Sequence, residues 1–331
     1  MNSRNLKKEL EQFPQISAKT VFNGTFFNKF NKYTTDQFVL REEFRKLKIN
    51  AEFNLLRKSD YNNLYQYGDY IISKTYPLNE KSVLNISKKI NQIYEQYLTD
   101  QNNVYFTIVP DKNYFINDEN LKLDYNKLEN LLNRNLSFAK YIRIFDMLEL
   151  EDYYKTDTHW KQERLLKVAK TIAESMNVNL ENEYKEKTIC DFQGTYSGQL
   201  PISTAKDKIK ILTNSEIEKS KVYNYETKKE NKVYNMEKIN SLDKYDIYLS
   251  GATPVLKIEN PENKTGNELI IFRDSYASSL VPLFIPKYSK ITLIDTRYIS
   301  PKLLPNYVEF NNQDILFMYS TLVINNSYSL K

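Results

Sequence analysis

Ile270-Ile271-Phe272-Arg273-Asp274-Ser275-Tyr276-Ala277-Ser278-Ser279 reads as an apolar strand, beginning at Glu268, that runs straight into a helix of small residues extending towards Phe284. Such a junction, at the carboxyl end of a parallel strand, is where α/β proteins place ligands. A serine there has a backbone N–H with no partner inside the helix, at the positive end of the helix dipole. Negative charge developing on a substrate carbonyl oxygen would be stabilised at that point. Ala277, Ser278 and Ser279 would let the helix lie close to the sheet. A simpler reading stands beside this one: Asp274 or Ser275 merely caps the helix.

Outward from this stretch the chain alternates. Upstream, Ser82–Leu98 carries Val83, Ile86, Ile90, Ile93 and Tyr97 at helical spacing, and Asn103–Val109 reads as a buried strand stopped by Pro110. Leu123–Leu136 reads as a helix, Tyr141–Phe145 as a short strand, Trp160–Met176 as an amphipathic helix and Tyr245–Ser250 as a strand. Lys290–Ile294 and Asp314–Tyr319 close the series as strands. Strands separated by helices argue for an α/β fold with a central, mostly parallel sheet flanked by helices. Residues 1–75 read as an N-terminal extension, with a charged helix over Thr35–Lys48 and a turn feeding a short strand over Tyr65–Ser73. Residues 76–331 form the main domain, in which polar residues 185–240 read as a loop-rich insertion.

Composition excludes several classes. A chain of 331 residues, 41% hydrophobic and 27% charged, is long enough for a sizeable core and near globular norms. A single cysteine, Cys190, excludes an internal disulfide framework, and with a single histidine, His159, it excludes the usual zinc centres, so no metal or cofactor is expected. Six glycines and no Gly-rich phosphate motif argue against a nucleotide loop. The net charge of +5 is spread along the chain and interleaved with acids, which does not make a nucleic-acid stripe. No apolar run is long enough to span a membrane.

A serine hydroxyl needs a base, imidazole is the usual one, and a carboxylate usually fixes its tautomer. Ser–His chemistry in this chain must use His159, which lies in Tyr153-Tyr154-Lys155-Thr156-Asp157-Thr158-His159-Trp160. Asp157 is two residues away, close enough in an irregular turn to reach the same ring, though an ideal helix would not pair them. Alternatively, Asp157 or Thr158 caps the following helix and His159 is a first-turn residue. In Asp191-Phe192-Gln193-Gly194-Thr195-Tyr196-Ser197-Gly198, two glycines four apart mark either a loop that brings an N–H to a substrate oxygen or only a turn, and Gly251 invites the same two readings.

Asp157-Thr158-His159-Trp160 followed by Arg273-Asp274-Ser275-Tyr276-Ala277-Ser278-Ser279 resembles the DHHW family, related to the alginate O-acetyltransferases AlgJ and AlgX, with an SGNH-hydrolase-like fold. The first motif reads DTHW, which keeps the Asp-x-His core; the second reads RDS where typical SGNH hydrolases have GDS. The segments Asn23-Gly24-Thr25-Phe26, Asp36-Gln37-Phe38 with Arg41, Val104–Phe115, Phe192–Tyr196, Ser289–Tyr298 and Asp314–Tyr319 are similar to further parts of that family. The resemblance implies a triad of Ser275, His159 and Asp157. Around it Gly194, Thr195, Gly251, Arg273, Tyr276 and Trp160 are expected to serve the oxyanion or the substrate. It also implies acetyl transfer through an acyl-Ser275 onto a secreted polysaccharide such as cellulose, an alginate-like polymer or another exopolysaccharide. The partners would be that polymer and a membrane-bound O-acyltransferase as acetyl donor, with no nucleic acid. The site would be the bacterial cell surface, with membrane contact only through an N-terminal anchor outside this sequence. An acetylesterase using the same triad and a non-catalytic glycan-binding protein are the alternatives.

Overall fold

The computed structural model describes residues 2–3, 8–116, 122–201 and 205–331. Its centre is an eight-stranded sheet in the order Lys229–Asn231, Lys221–Asn224, Val255–Glu259, Lys290–Ile294, Glu268–Arg273, Asp314–Ser320, Val104–Val109, Lys140–Tyr141. From Lys290–Ile294 to Lys140–Tyr141 every pairing is parallel. Every residue of Val104–Val109, and all but the first of Glu268–Arg273 and Asp314–Ser320, is buried, as expected for strands covered on both faces. One face is covered by the helix Glu80–Tyr97, which starts where Asn79 Oδ1 accepts the Ser82 N–H at 3.1 Å and packs Val83, Ile86, Ile90 and Ile93 inwards. Burial of those four side chains stabilises the fold by about 1.5–3 kcal/mol each.

The expected mostly parallel sheet is corrected to a mixed one, because the other three pairings are antiparallel. Parallel neighbours need a crossover of a dozen or more residues. The short link from Glu259 to Glu268 cannot supply one, so Val255–Glu259 runs opposite to Glu268–Arg273 and hence antiparallel to Lys290–Ile294, which lies between them and is parallel to Glu268–Arg273.

Other expectations change as well. The helix expected over Thr35–Lys48 is two helices, Thr25–Asp36 and Arg41–Asn50, broken at Leu40, whose φ is 59°. Tyr141–Phe145 pairs only at Lys140–Tyr141. The helix expected over Trp160–Met176 begins at Leu166, and the one expected over Tyr276–Phe284 is Ala277–Leu280 followed by a tighter turn through Pro282 and Pro286. Tyr245–Ser250 is not a strand: Asp243 caps a short 3₁₀ turn over Lys244–Ile247, and Leu249, Ser250 and Gly251 all take positive φ. The apolar run there is buried as a plug rather than as a ladder.

The region 185–240, expected to be loop-rich, holds the antiparallel pair Lys185–Phe192 and Asp207–Thr213 and the two outer strands of the main sheet. Its solvent-facing lysines and glutamates hid the alternation: buried Ile209 and Ile211 alternate with Lys208 and Lys210. Towards the N-terminus, a hairpin of Leu64–Tyr67 and Tyr70–Ser73 docks on the core through Ile71 N–H to Lys155 O at 2.8 Å. No described helix is long and apolar enough to cross a membrane.

Candidate active site

Parallel strands bring their carboxyl ends to one edge, and three loops leave the sheet there: Pro110–Lys112, Asp274–Tyr276 and Thr321 onwards. Buried carboxylates stitch them together. Asp274 Oδ2 accepts the Ser320 N–H at 2.7 Å and its Oδ1 accepts the Tyr276 N–H at 3.0 Å; Asp111 Oδ2 accepts the Thr321 hydroxyl at 2.6 Å. Asp274 is thereby spent on holding the serine turn. The helix after Ser275 is a single turn, so the expected helix-dipole contribution is small.

Across this edge lies the turn Tyr153–Trp160, closed by Tyr154 N–H to His159 O at 3.0 Å. Here Asp157, His159 and Ser275 meet. His159 Nδ1 is 2.5 Å from Asp157 Oδ1, and Nε2 is 2.8 Å from Ser275 Oγ. The order of contacts is that of a serine, its base and the carboxylate that orients the base. Asp157 is fully buried; its Oδ2 accepts the Thr195 N–H at 2.7 Å and the Thr195 hydroxyl at 2.9 Å. With both oxygens filled by donors, the carboxylate holds Nδ1–H and leaves Nε2 free to accept the serine proton. The imidazole lies flat on the Tyr245 ring, 3.8 Å between centroids and 9° between planes. The Tyr245 hydroxyl donates to Ser279 Oγ at 2.8 Å, and burial holds its pKa above the usual tyrosine value.

The other expected site residues are placed differently from expectation. Gly194 was expected to point an N–H at a substrate oxygen, but that N–H donates to Thr156 Oγ1 at 2.9 Å. A Cβ on Gly194 would stand 2.2 Å from Asp157 Cβ and 2.4 Å from Thr156 O, so glycine is required for the loop to lie against the Thr156–Asp157 turn. Thr195 likewise serves Asp157 rather than substrate. The Gly251 N–H goes to Tyr248 O at 3.2 Å. The Ser275 N–H has no acceptor among the described residues, which leaves it available to an oxyanion.

Trp160, Tyr276 and Arg273 are buried and are corrected from substrate contacts to positioning residues. Trp160 Nε1–H donates to Tyr276 O and Ser279 Oγ, both at 3.0 Å, and the Tyr276 hydroxyl donates to Thr158 O at 2.7 Å, so each motif clamps the other. Arg273 reaches Ser278 Oγ at 3.1 Å and Gly251 O at 3.4 Å; burial lowers its pKa.

Two supports escaped the sequence reading. Asp207 accepts the Lys155 and Thr156 N–H groups at 3.0 and 2.9 Å and the Thr156 hydroxyl at 2.6 Å, fixing the turn that carries Asp157; nothing in its local sequence marks it. Lys112, directly after the Val104–Val109 strand, is buried and donates to Ile71 O and to Tyr154 O, the latter at 3.0 Å, with the Tyr196 ring 5.1 Å away. A lysine just past the carboxyl end of a buried strand was the available signal.

Burial pushes the Lys112 ammonium down to about 7, against the attraction of Asp157 and Asp207. In the unfolded chain it titrates near 10.5. Between those values the unfolded chain binds more protons, so this residue's contribution to stability rises as pH rises from about 7 towards 10.5 and is lowest below about 7. Equilibrium unfolding across that range is expected to show this rise in the wild type and to lack it in Lys112→Met. Parallel stability–pH curves for the two proteins would refute it.

No protein-family model and no curated protein matches the sequence. The fold, by contrast, is similar to solved structures. A DHHW family protein from Eubacterium siraeum DSM 15702 aligns with a TM-score of 0.66 and 21% identity over 82% of this chain and 94% of that chain. Bacillus cereus PatB1, solved with a sulfonyl adduct, aligns with a TM-score of 0.63 and 16% identity over 80% of this chain and 97% of that chain. The chain therefore has the fold of the DHHW family protein and PatB1, the fold its paired motifs implied.

Proposed function

We propose that this chain is an SGNH-hydrolase-like O-acetyltransferase that acts on a polysaccharide through an acetyl-Ser275 intermediate. The observation that carries the reading is the hydrogen-bonded line from Asp157 through His159 to Ser275. The shared fold with a DHHW family protein supports it, as does the sulfonyl adduct of PatB1, since sulfonyl reagents are taken up by activated nucleophiles.

His159 Nε2 takes the Ser275 proton as Oγ attacks the acetyl carbonyl carbon. The oxyanion meets the Ser275 N–H, and the imidazolium is stabilised by Asp157. The proton passes to the donor oxygen, the donor alcohol leaves and acetyl-serine remains. A sugar hydroxyl then gives its proton to His159 and attacks the ester; collapse returns the proton to Ser275 Oγ and leaves an O-acetyl sugar. The secreted polymer, the membrane-bound O-acyltransferase donor and the extracytoplasmic location follow from the motif resemblance.

The test is intact-mass spectrometry of the protein with 4-nitrophenyl acetate, alone and with cellulose- or alginate-derived oligosaccharides. The expected result is one acetyl group on the protein and acetylated oligosaccharide in the mixture. Acetate as sole product with every acceptor would replace the transferase by an acetylesterase. No adduct and no turnover would overturn both and leave glycan binding.

A further inference from the structure

The segment from Ala18 to Leu56 carries an apolar surface that the protein does not use. Its inner face is accounted for: Ile49 is fully buried with Leu64, Ile71 and Leu200, and Arg45 Nη2 donates to Gly198 O at 2.9 Å, on the turn that follows Thr195. The outer face runs the other way. Phe44 and Leu47 of Arg41–Asn50 follow its N-cap Leu40 at helical spacing, and each of the three is more than half exposed. They continue into the turn between the two helices, where Phe38, Val39 and Leu40 stand 57%, 77% and 64% exposed in succession. Leu40 holds a φ of 59° there, a conformation that costs a residue with a Cβ. Three consecutive exposed apolar residues at a strained tip are costly in water and need a cover.

Charge identifies that cover. Residues 10–58 carry nine lysines and arginines against five acids, so this short segment holds most of the chain's excess of +5. A trough of about 590 Å³ lined by Phe38 and Phe44 is bordered by Arg41, Arg45 and Lys48, which also pair with Asp36, Glu42 and Glu52, so the net excess of the whole segment rather than a free cation at the rim carries the charge. Exposed aromatic and aliphatic side chains bordered by cations suit an anionic interface that is apolar just beneath its surface, which is the chemistry of an acidic lipid bilayer. We propose that this segment docks on an anionic membrane surface, with the Phe38–Val39–Leu40 turn and the side chains of Phe44 and Leu47 entering the headgroup layer. The contact is independent of the triad and of the proposed reaction.

Flotation with vesicles of phosphatidylcholine and phosphatidylglycerol, against vesicles of phosphatidylcholine alone, tests this at low and high salt. The wild type is expected to float with the anionic vesicles, about tenfold or more in preference to the neutral ones, and to lose most of that binding at high salt. Replacing Phe38, Leu40 and Phe44 together by Ser is expected to lower anionic-vesicle binding by at least about tenfold. Lys48→Glu is expected to weaken it without touching the apolar tip. Ser275 labelling by a sulfonyl fluoride should be unchanged in both variants, which shows that they are folded and separates this outcome from the acyl-transfer reading. Wild-type binding indifferent to lipid charge, or vesicle binding unaffected by the triple replacement, would overturn the proposal. A wild-type dimer in solution that the triple replacement dissolves would also overturn it and assign the face to a second copy of the chain.

Discussion

Ser275→Ala is expected to abolish the acetyl and sulfonyl adducts and to lower ester turnover by about 10⁴-fold or more. The hydroxyl 2.8 Å from His159 Nε2 is the sole nucleophile in that line, and no other hydroxyl is described as bonded to that nitrogen. His159→Ala is expected to cost about as much, because without a base the serine keeps its proton. The sharper test is the double variant. Residues that act as one unit are strongly non-additive, so Ser275→Ala with His159→Ala should be no slower than either single variant. Three proteins with losses that multiply, or a Ser275→Ala protein that still takes one acetyl group, would refute the shared mechanism. Ser275 is only partly buried and the surrounding clamps through Trp160 and Tyr276 do not depend on it, whereas His159 is buried against Tyr245, so the fold is compared in Ser275→Ala. Thermal unfolding close to that of the wild type should accompany the loss.

Asp157→Asn is expected to lower acylation by about 10³–10⁴-fold with little change in fold. The carboxylate meets donors on both sides: Nδ1–H and the His159 N–H on Oδ1, and the Thr195 N–H and hydroxyl on Oδ2. An amide has one acceptor oxygen and one donor nitrogen. If its NH₂ faces the ring, Nδ1 must become the acceptor, Nε2 carries the proton, and the serine has no base. If its NH₂ faces Thr195, it opposes that backbone N–H at a separation made for a hydrogen bond. Either arrangement loses a buried charge-assisted contact, and only the first spares the loop. Single-turnover acylation by 4-nitrophenyl acetate separates this from a binding defect: the rate constant should fall while saturation by the ester is little changed. A loss below about tenfold would show that Asp157 does not orient the base.

Much of the site was legible because scarcity constrains. One histidine in the chain leaves one base for any serine, and Asp157 two residues before it needs only a turn to reach the ring. The strands Val104–Val109, Glu268–Arg273 and Asp314–Ser320 were legible for a different reason: burial on both faces demands unbroken apolar runs, and such runs are visible without knowing their neighbours. The 3₁₀ plug at Lys244–Ile247 was misread on the same logic, since an apolar run records burial and not hydrogen-bond pattern. The strand pair within 185–240 was missed because one of its faces is charged and in water.

What surrounds Asp157, His159 and Ser275 was decided by tertiary structure alone. Asp207 holds Thr156 from 51 residues away, Thr195 holds Asp157 from 38, and the Tyr245 ring lies flat on His159 from across the chain. Gly194 shows the limit most plainly: its rarity marked it, but whether its N–H meets a substrate or the Thr156 hydroxyl depends on which loop packs against it. By itself, then, the sequence limited any Ser–His pair to His159 and marked the buried parallel strands, because residue scarcity and hydrophobic burial act along the chain. The direction of the outer strands, the donors that fix Asp157 and the freedom of the Ser275 N–H were decided only when segments far apart in sequence came into contact, because hydrogen bonds are settled by distance in space.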